Sequence, residues 1–187
     1  MVELVADETS SEERRQEARI SVPPGVVAVL AIAVAAACFM KFDLTGKAVV
    51  AAGFCAVLVV LAAIDLERRI IPNRIVLPAG ILVLLGNIAV EPGKAREWVI
   101  AAFAALLVGV VLSLATRGGV GMGDAKLAFL LGAGLGWSVV GAVVVASLLM
   151  FVVAIVLLAR RGMAARKDAV PFGPFLAFGA ILVLLLS

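Results

Sequence analysis

The sequence predicts an all-α fold, a polytopic membrane bundle of about seven transmembrane helices with a cytoplasmic N-terminus. Three observations carry the prediction. Hydrophobic residues make up 64% of the 187-residue chain, mean hydropathy is +1.21, and only 16% of residues are charged, well outside the range of a soluble domain. The apolar residues fall in runs near the length of about 20 that a helix needs to cross a hydrocarbon core, separated by short polar connections. The basic residues then fall mainly on one side of the resulting alternation.

Residues 1–22 form a polar cytoplasmic tail with charges of both signs, including Glu12, Glu13, Arg14, Arg15, Glu17 and Arg19, closed off by Pro23-Pro24. Ala35-Ala36-Ala37-Cys38 resembles a small-residue cleavage site, but the region before it is long and acidic and the apolar run is long, which argues against a cleaved secretory signal. Residues 23–187 form one transmembrane domain. Its apolar runs are 24–40, 47–64, 75–90, 98–115, 125–137, 138–159 and 172–186. The run 125–137 is short and glycine-rich, so it reads as a full span, a tilted half-span or a continuation of its neighbour. Gly132 and Gly136, four apart, would let another helix backbone come close.

With the tail inside, the inner connections hold Arg14, Arg15, Arg19, Arg68, Arg69, Arg74, Arg117, Lys126, Arg160, Arg161, Arg166 and Lys167. Lys41, Lys47, Lys94 and Arg96 are left outside. This arrangement puts the end of the second run and the start of the fifth at the cytoplasmic face. The net charge of +3 reports this orientation and attraction to anionic lipid, so no nucleic-acid partner is read from it.

Absences narrow the chemistry. The chain has no histidine and no tyrosine, which excludes a Ser-His-Asp triad, a Cys-His pair, an HExxH zinc site and a histidine haem ligand. Its two cysteines, Cys38 and Cys55, lie inside apolar runs without CxxC spacing and read as small buried hydrophobes, neither metal ligands nor a disulfide. No cofactor and no metal are expected. Carboxylates remain, and two stand out. Asp65 closes an apolar run before Arg68, Arg69 and Ile71-Pro72-Asn73, and Asp124 ends the glycine-rich turn Gly118-Gly119-Val120-Gly121-Met122-Gly123.

A carboxylate at the end of an apolar helix is a functional candidate by default. The plain alternative is that each pairs with a nearby cation such as Arg68, Arg69 or Lys126 and orients a helix end. Two carboxylates at one depth and surface fit an aspartyl hydrolase better. Like charges held close keep one carboxyl protonated, so that one group activates water while the other polarises a carbonyl and protonates a leaving nitrogen. Gly121 and Gly123 lack a Cβ, so a substrate backbone could approach Asp124 or the turn could take positive φ. A phosphate-binding loop is excluded, since Gly123 is followed by Asp124 and an apolar helix. Ile71-Pro72-Asn73 reads as a helix stop and turn back into the membrane.

Asp65 with Ile71-Pro72-Asn73, then Gly121-Met122-Gly123-Asp124-Ala125-Lys126-Leu127 with Gly132 and Gly136, then Pro171-Phe172-Gly173-Pro174-Phe175-Leu176-Ala177, together resemble the type IV prepilin peptidase family over roughly residues 47–187. The resemblance implies a GxGD aspartyl endopeptidase of the bacterial inner membrane that removes the short leader of a prepilin or pseudopilin precursor at the cytoplasmic face. It assigns the catalytic pair to Asp65 and Asp124, gives Lys126 a part in tuning the pair or holding the loop, and lets Pro171 and Gly173 shape the groove for the leader. Bifunctional members carry a CxxC lobe after the first span for N-methylation. Here Lys41 to Lys47 is a short connection without CxxC, so the resemblance is to the compact, peptidase-only form of Flp-type pilus systems.

Two other classes compete with this reading. A small transporter or ion-binding membrane protein would place its carboxylates nearer mid-membrane, whereas both lie at span ends. A noncatalytic pilus-assembly factor would use them as structural ion pairs. Neither accounts for three ordered motifs.

Overall fold

A computed structural model describes residues 22–115, 121–161 and 171–187. The polar tail up to residue 21, Arg117 to Val120, Arg166 and Lys167 lie outside the described residues. Seven α-helices are present among those described: α1 (Pro24–Phe42), α2 (Gly46–Arg68), α3 (Asn73–Val90), α4 (Ala95–Ala115), α5 (Met122–Leu135), α6 (Val139–Arg161) and α7 (Gly173–Leu186). Single 3₁₀ turns precede α4 (Pro92–Lys94) and join α5 to α6 (Gly136–Ser138). Five stretches are long and apolar enough to cross a membrane: α1, α2, α3, α4 with its preceding turn, and α5 continued through α6. The chain is a multi-pass membrane protein.

The helix boundaries move both carboxylates inside helices. The apolar run ends at Leu61-Ala62-Ala63-Ile64, but α2 continues to Arg68 because its stop is conformational. Arg69 turns left-handed (φ 53°) and its N–H closes on the Asp65 carbonyl at 2.8 Å. Asp65 therefore sits in the last turn, continuing the buried face of Ala51, Phe54, Cys55, Leu58 and Leu61. At the other site Gly121 caps α5 and its carbonyl accepts the Asp124 N–H at 3.0 Å, so Asp124 belongs to the first turn of a helix that starts three residues before the apolar run.

The short run proves to be the centre of the bundle. Helix α5 has 14 residues, about 21 Å at 1.5 Å per residue, and eight of them are buried. It packs on α4 and α3, while α6 turns away to pack on α7. A Cβ on Gly132 would lie 2.6 Å from the Ala101 carbonyl oxygen and 2.8 Å from the Ala102 Cα, so this glycine admits a helix backbone as expected. Gly136 does something else. It ends α5 with φ 59° against the Trp98 ring, so its use is conformational and not a helix approach.

Around this centre, α2 packs on α1, α3 and α7. Helix α1 is peripheral, with Cys38 its one buried residue. Cys38 and Cys55 are free and buried, with their sulfurs in a 3.7 Å hydrogen bond between α1 and α2. They behave as the small buried groups that the sequence suggests.

Candidate active site

Asp65 is 6% exposed, the one charged residue among the described residues that is fully buried. Its Oδ2 accepts the N–H of Gly173, the first residue of α7, at 3.0 Å. The first amides of a helix have no partner within it, and a carboxylate there also meets the favourable end of the helix dipole. The Pro171-Phe172-Gly173-Pro174 sequence supplies this arrangement locally. Pro174 has no N–H and fits the first turn, and Gly173 must lack a Cβ because one would sit 2.6 Å from Asp65 Oδ2. Gly173 is thus a donor to Asp65, and Pro171 lies on the cavity wall.

Asp124 is half-buried in the first turn of α5. Of the two expected uses of its glycines, positive φ does not occur at Gly121 or Gly123. Gly121 has φ −67°, and Gly136 is the only glycine with positive φ among the described residues, so no left-handed turn is needed here. The close approach at Gly123 is made by the protein itself, since a Cβ there would lie 3.1 Å from the Cβ of Ile71. Gly123 therefore lets the α2–α3 connection settle against α5, which draws the two carboxylate-bearing helix ends together. Gly121 stays open to the cavity.

Lys126 forms no ion pair with either carboxylate and donates to Asn73 Oδ1 at 2.7 Å, linking the first turns of α5 and α3. Pro72 caps α3 and accepts the N–H groups of Ile75 and Val76, and it is a hinge to the site without lining it. Among the described residues the ion pairs are Lys47–Glu91 and Lys94–Glu91, so neither Asp65 nor Asp124 has a cation within 4.0 Å. Pairing with Arg68, Arg69 or Lys126 does not occur. No three side chains of the His, Cys, Asp or Glu type converge on a common point among the described residues.

Asp65, Asp124, Asn73, Lys126, Gly121, Gly123 and Pro171 line one cavity of about 980 Å³. Sequence reasoning missed its other wall. Ser147, Met150, Phe151 and Ala154 of α6 face it, and their spacing of three, four and seven is one helical face carrying a single hydroxyl in an apolar run. Arg69 also lines the cavity, beside Asp65 and not in an ion pair with it. Chemically, the arrangement offers two carboxyls on one cavity with an apolar wall opposite, the setting in which an acid and a base can act on one bound group.

The model of the type IV leader peptidase family matches residues 52–159, more than half of the chain. The chain belongs to this family. The matched segment of this leader peptidase family member contains Asp65, Pro72, Asn73, Gly121, Gly123, Asp124 and Lys126, while Pro171 and Gly173 lie beyond it. The chain is 34% identical over 152 residues to a prepilin leader peptidase/N-methyltransferase of Burkholderia pseudomallei (strain 1026b), covering 79% of this chain and 49% of the relative. It is 34% identical over 137 residues to that of Aeromonas salmonicida (strain A449), covering 69% and 46%. It is 28% identical over 150 residues to that of Bacillus subtilis (strain 168), covering 80% and 60%. The chain thus spans about half the length of the curated relatives it matches. No solved structure matches it.

Proposed function

We propose that this protein is a membrane aspartic endopeptidase that removes the leader peptide of a prepilin or pseudopilin precursor, with Asp65 and Asp124 as the catalytic pair. The observation that carries the reading is that two carboxylates from distant parts of the chain line one cavity with no ion-pair partner among the described residues. A structural role would call for such a partner. In the proposed step the ionised carboxyl takes a proton from water as it attacks the scissile carbonyl. The protonated one polarises that carbonyl and then gives its proton to the leaving nitrogen. Gly173 holds Asp65 by its N–H, and the Lys126–Asn73 contact ties the first turn of α5, which carries Asp124, to the start of α3.

The proposal places the protein in the bacterial inner membrane with seven crossings, N-terminus inside and the pair at the cytoplasmic face. Val22 supports this side. Its N–H bonds to the Glu67 carboxylate at 2.9 Å, in the last turn of α2, so α1 begins at the same end of the bundle as the pair. Only three residues, Asp43 to Thr45, join α1 to α2, and they contain no CxxC, which supports a peptidase without the methyltransferase activity in the relatives' names.

The test is co-expression with a pilin-type precursor, following its gel mobility with wild type, Asp65→Asn and Asp124→Asn, each checked for membrane abundance. Cleavage by wild type alone is expected. Equal cleavage by the Asn variants would sink the dyad. Ion flux in proteoliposomes with no cleavage would return the protein to the transporter class.

A further inference from the structure

Exposed apolar side chains mean little in a bundle whose outer surface faces lipid. A concave channel that ends at a reactive carboxylate means more. Between α4 and α6 runs an apolar groove of about 320 Å³, with Ala104 on one wall and Val143 on the other. On α4 it extends from Ala101 to Leu112, about 17 Å or three helical turns. Its inner end is formed by Asp124 and Phe172, and both residues also line the cavity that contains Asp65. The groove stays open because α4 packs chiefly on α5, whereas α6 packs chiefly on α7.

Asp124 is the one charged residue in the groove lining, which otherwise offers alanines, valines and a few larger apolar groups. A polypeptide lying there in hydrocarbon must satisfy its own backbone hydrogen bonds, which requires a helix, and walls of small residues let a helix backbone come near. Past Asp124 one wall of the cavity carries polar groups, Asn73, Lys126 and Arg69, which an unwound segment can use as hydrogen-bond partners.

We propose that the groove between α4 and α6 is the docking track for the apolar membrane helix of the precursor. That helix ends at Asp124, and its leader junction continues as extended chain into the cavity of the pair. The proposal rests on the aspartic peptidase reading above and adds the path by which the substrate arrives. Recognition on this path is of a three-turn apolar helix followed by a polar segment.

The experiment uses the full chain in membranes, carrying Asp65→Asn to keep the precursor uncut, with a photo-crosslinking residue at Ala104, at Val143 or at Leu107. Leu107 is 64% exposed on α4 and outside the groove. The probe is a precursor with a short basic leader before an apolar helix. Crosslinks to that helix from positions 104 and 143, spaced three or four residues apart along it, with little product from 107, are expected. Equal yields from all three positions, product from 107 alone, or products with lipid and none with the precursor overturn the docking track. A second measurement fills the groove: Val143→Trp is expected to raise KM about tenfold while Leu107→Trp leaves it unchanged, and equal KM values for the two overturn the proposal. Should wild type leave the precursor uncut, the peptidase reading fails by itself, while the crosslinking contrast still decides the groove.

Discussion

At one end of the α2–α3 hairpin Glu91 meets Lys47 and Lys94, and Lys41 donates to the Leu184 carbonyl at the C-terminus of α7 at 3.1 Å. At the other end Asp65 and Asp124 share a cavity, and among the described residues neither is in an ion pair. Both ends carry charge at the edge of an apolar bundle, yet only one neutralises it locally. The first end is what structural charge looks like: opposite signs in contact, partly exposed, completing helix ends. At the second, Lys126 is bonded to Asn73, and Arg69 stands beside Asp65 without forming an ion pair with it. The contrast teaches that in this bundle the missing partner, and not the charge itself, distinguishes the end proposed to be catalytic.

The sharpest way to break this comparison is to neutralise each end in turn. Asp65→Asn or Asp124→Asn is expected to reduce precursor cleavage by at least the 10²–10⁴-fold typical of losing an acid or base, with membrane abundance retained. Glu91→Gln in the same assay should cleave at the wild-type rate. If all three variants cleave alike, the two ends are equivalent and both are structural.

Gly173→Ala probes how Asp65 is held. The added Cβ has to displace a carboxylate oxygen that would lie 2.6 Å from it, and a misplacement of about 1 Å costs on the order of 10² in rate. Initial cleavage rates in membranes read this. A wild-type rate would show that the contact to α7 does not fix the carboxylate.

Smaller effects are expected from the contact between α5 and α3. Lys126→Met or Asn73→Ala removes one exposed hydrogen bond, about 1 kcal/mol or less, and should slow cleavage only a few fold. The double variant should lose no more than either single one. Fully additive losses would mean that Lys126 acts on the carboxylates directly.

The smallest effect belongs to Glu91 and is one of stability. Its hydrogen bond with Lys47 holds the carboxyl below the usual range, with Lys94 adding to it. A depressed folded value means that this stabilisation is present above the ordinary carboxylate value of about 4.3 and is lost as pH falls through the lower folded value. Thermal unfolding in detergent should therefore show wild type converging on Glu91→Gln as pH drops below about 4, with a difference of about 1 kcal/mol or less above it. A gap that widens on acidification would contradict the sign.

Much of this was legible in the chain. An apolar composition with short polar breaks leaves few choices but a helical membrane bundle, because backbone polar groups in hydrocarbon must pair within their own segment. The lack of histidine and the position of Asp65 and Asp124 at the ends of runs pointed to carboxylate chemistry, since a charge costs too much there to be idle. Hydropathy could not show that α2 continues to Arg68 or that α5 begins at Met122, because those limits are set by one left-handed residue and one capping carbonyl. Nor could it reveal that the short glycine-rich run is the centre of the bundle. Its spacing suggested that Gly132 and Gly136 both admit a helix backbone, but only Gly132 does so, against Ala101 and Ala102, while Gly136 takes positive φ beside Trp98, a difference that depends on which residues arrive from α4. Only the tertiary structure decided that Gly173 donates to Asp65 across 108 positions, that Lys126 is spent on Asn73, and that α6 walls the cavity with Ser147. Composition and spacing act within one segment, whereas a cavity is the space left when several segments pack, and its chemistry follows from which groups that packing leaves without a partner.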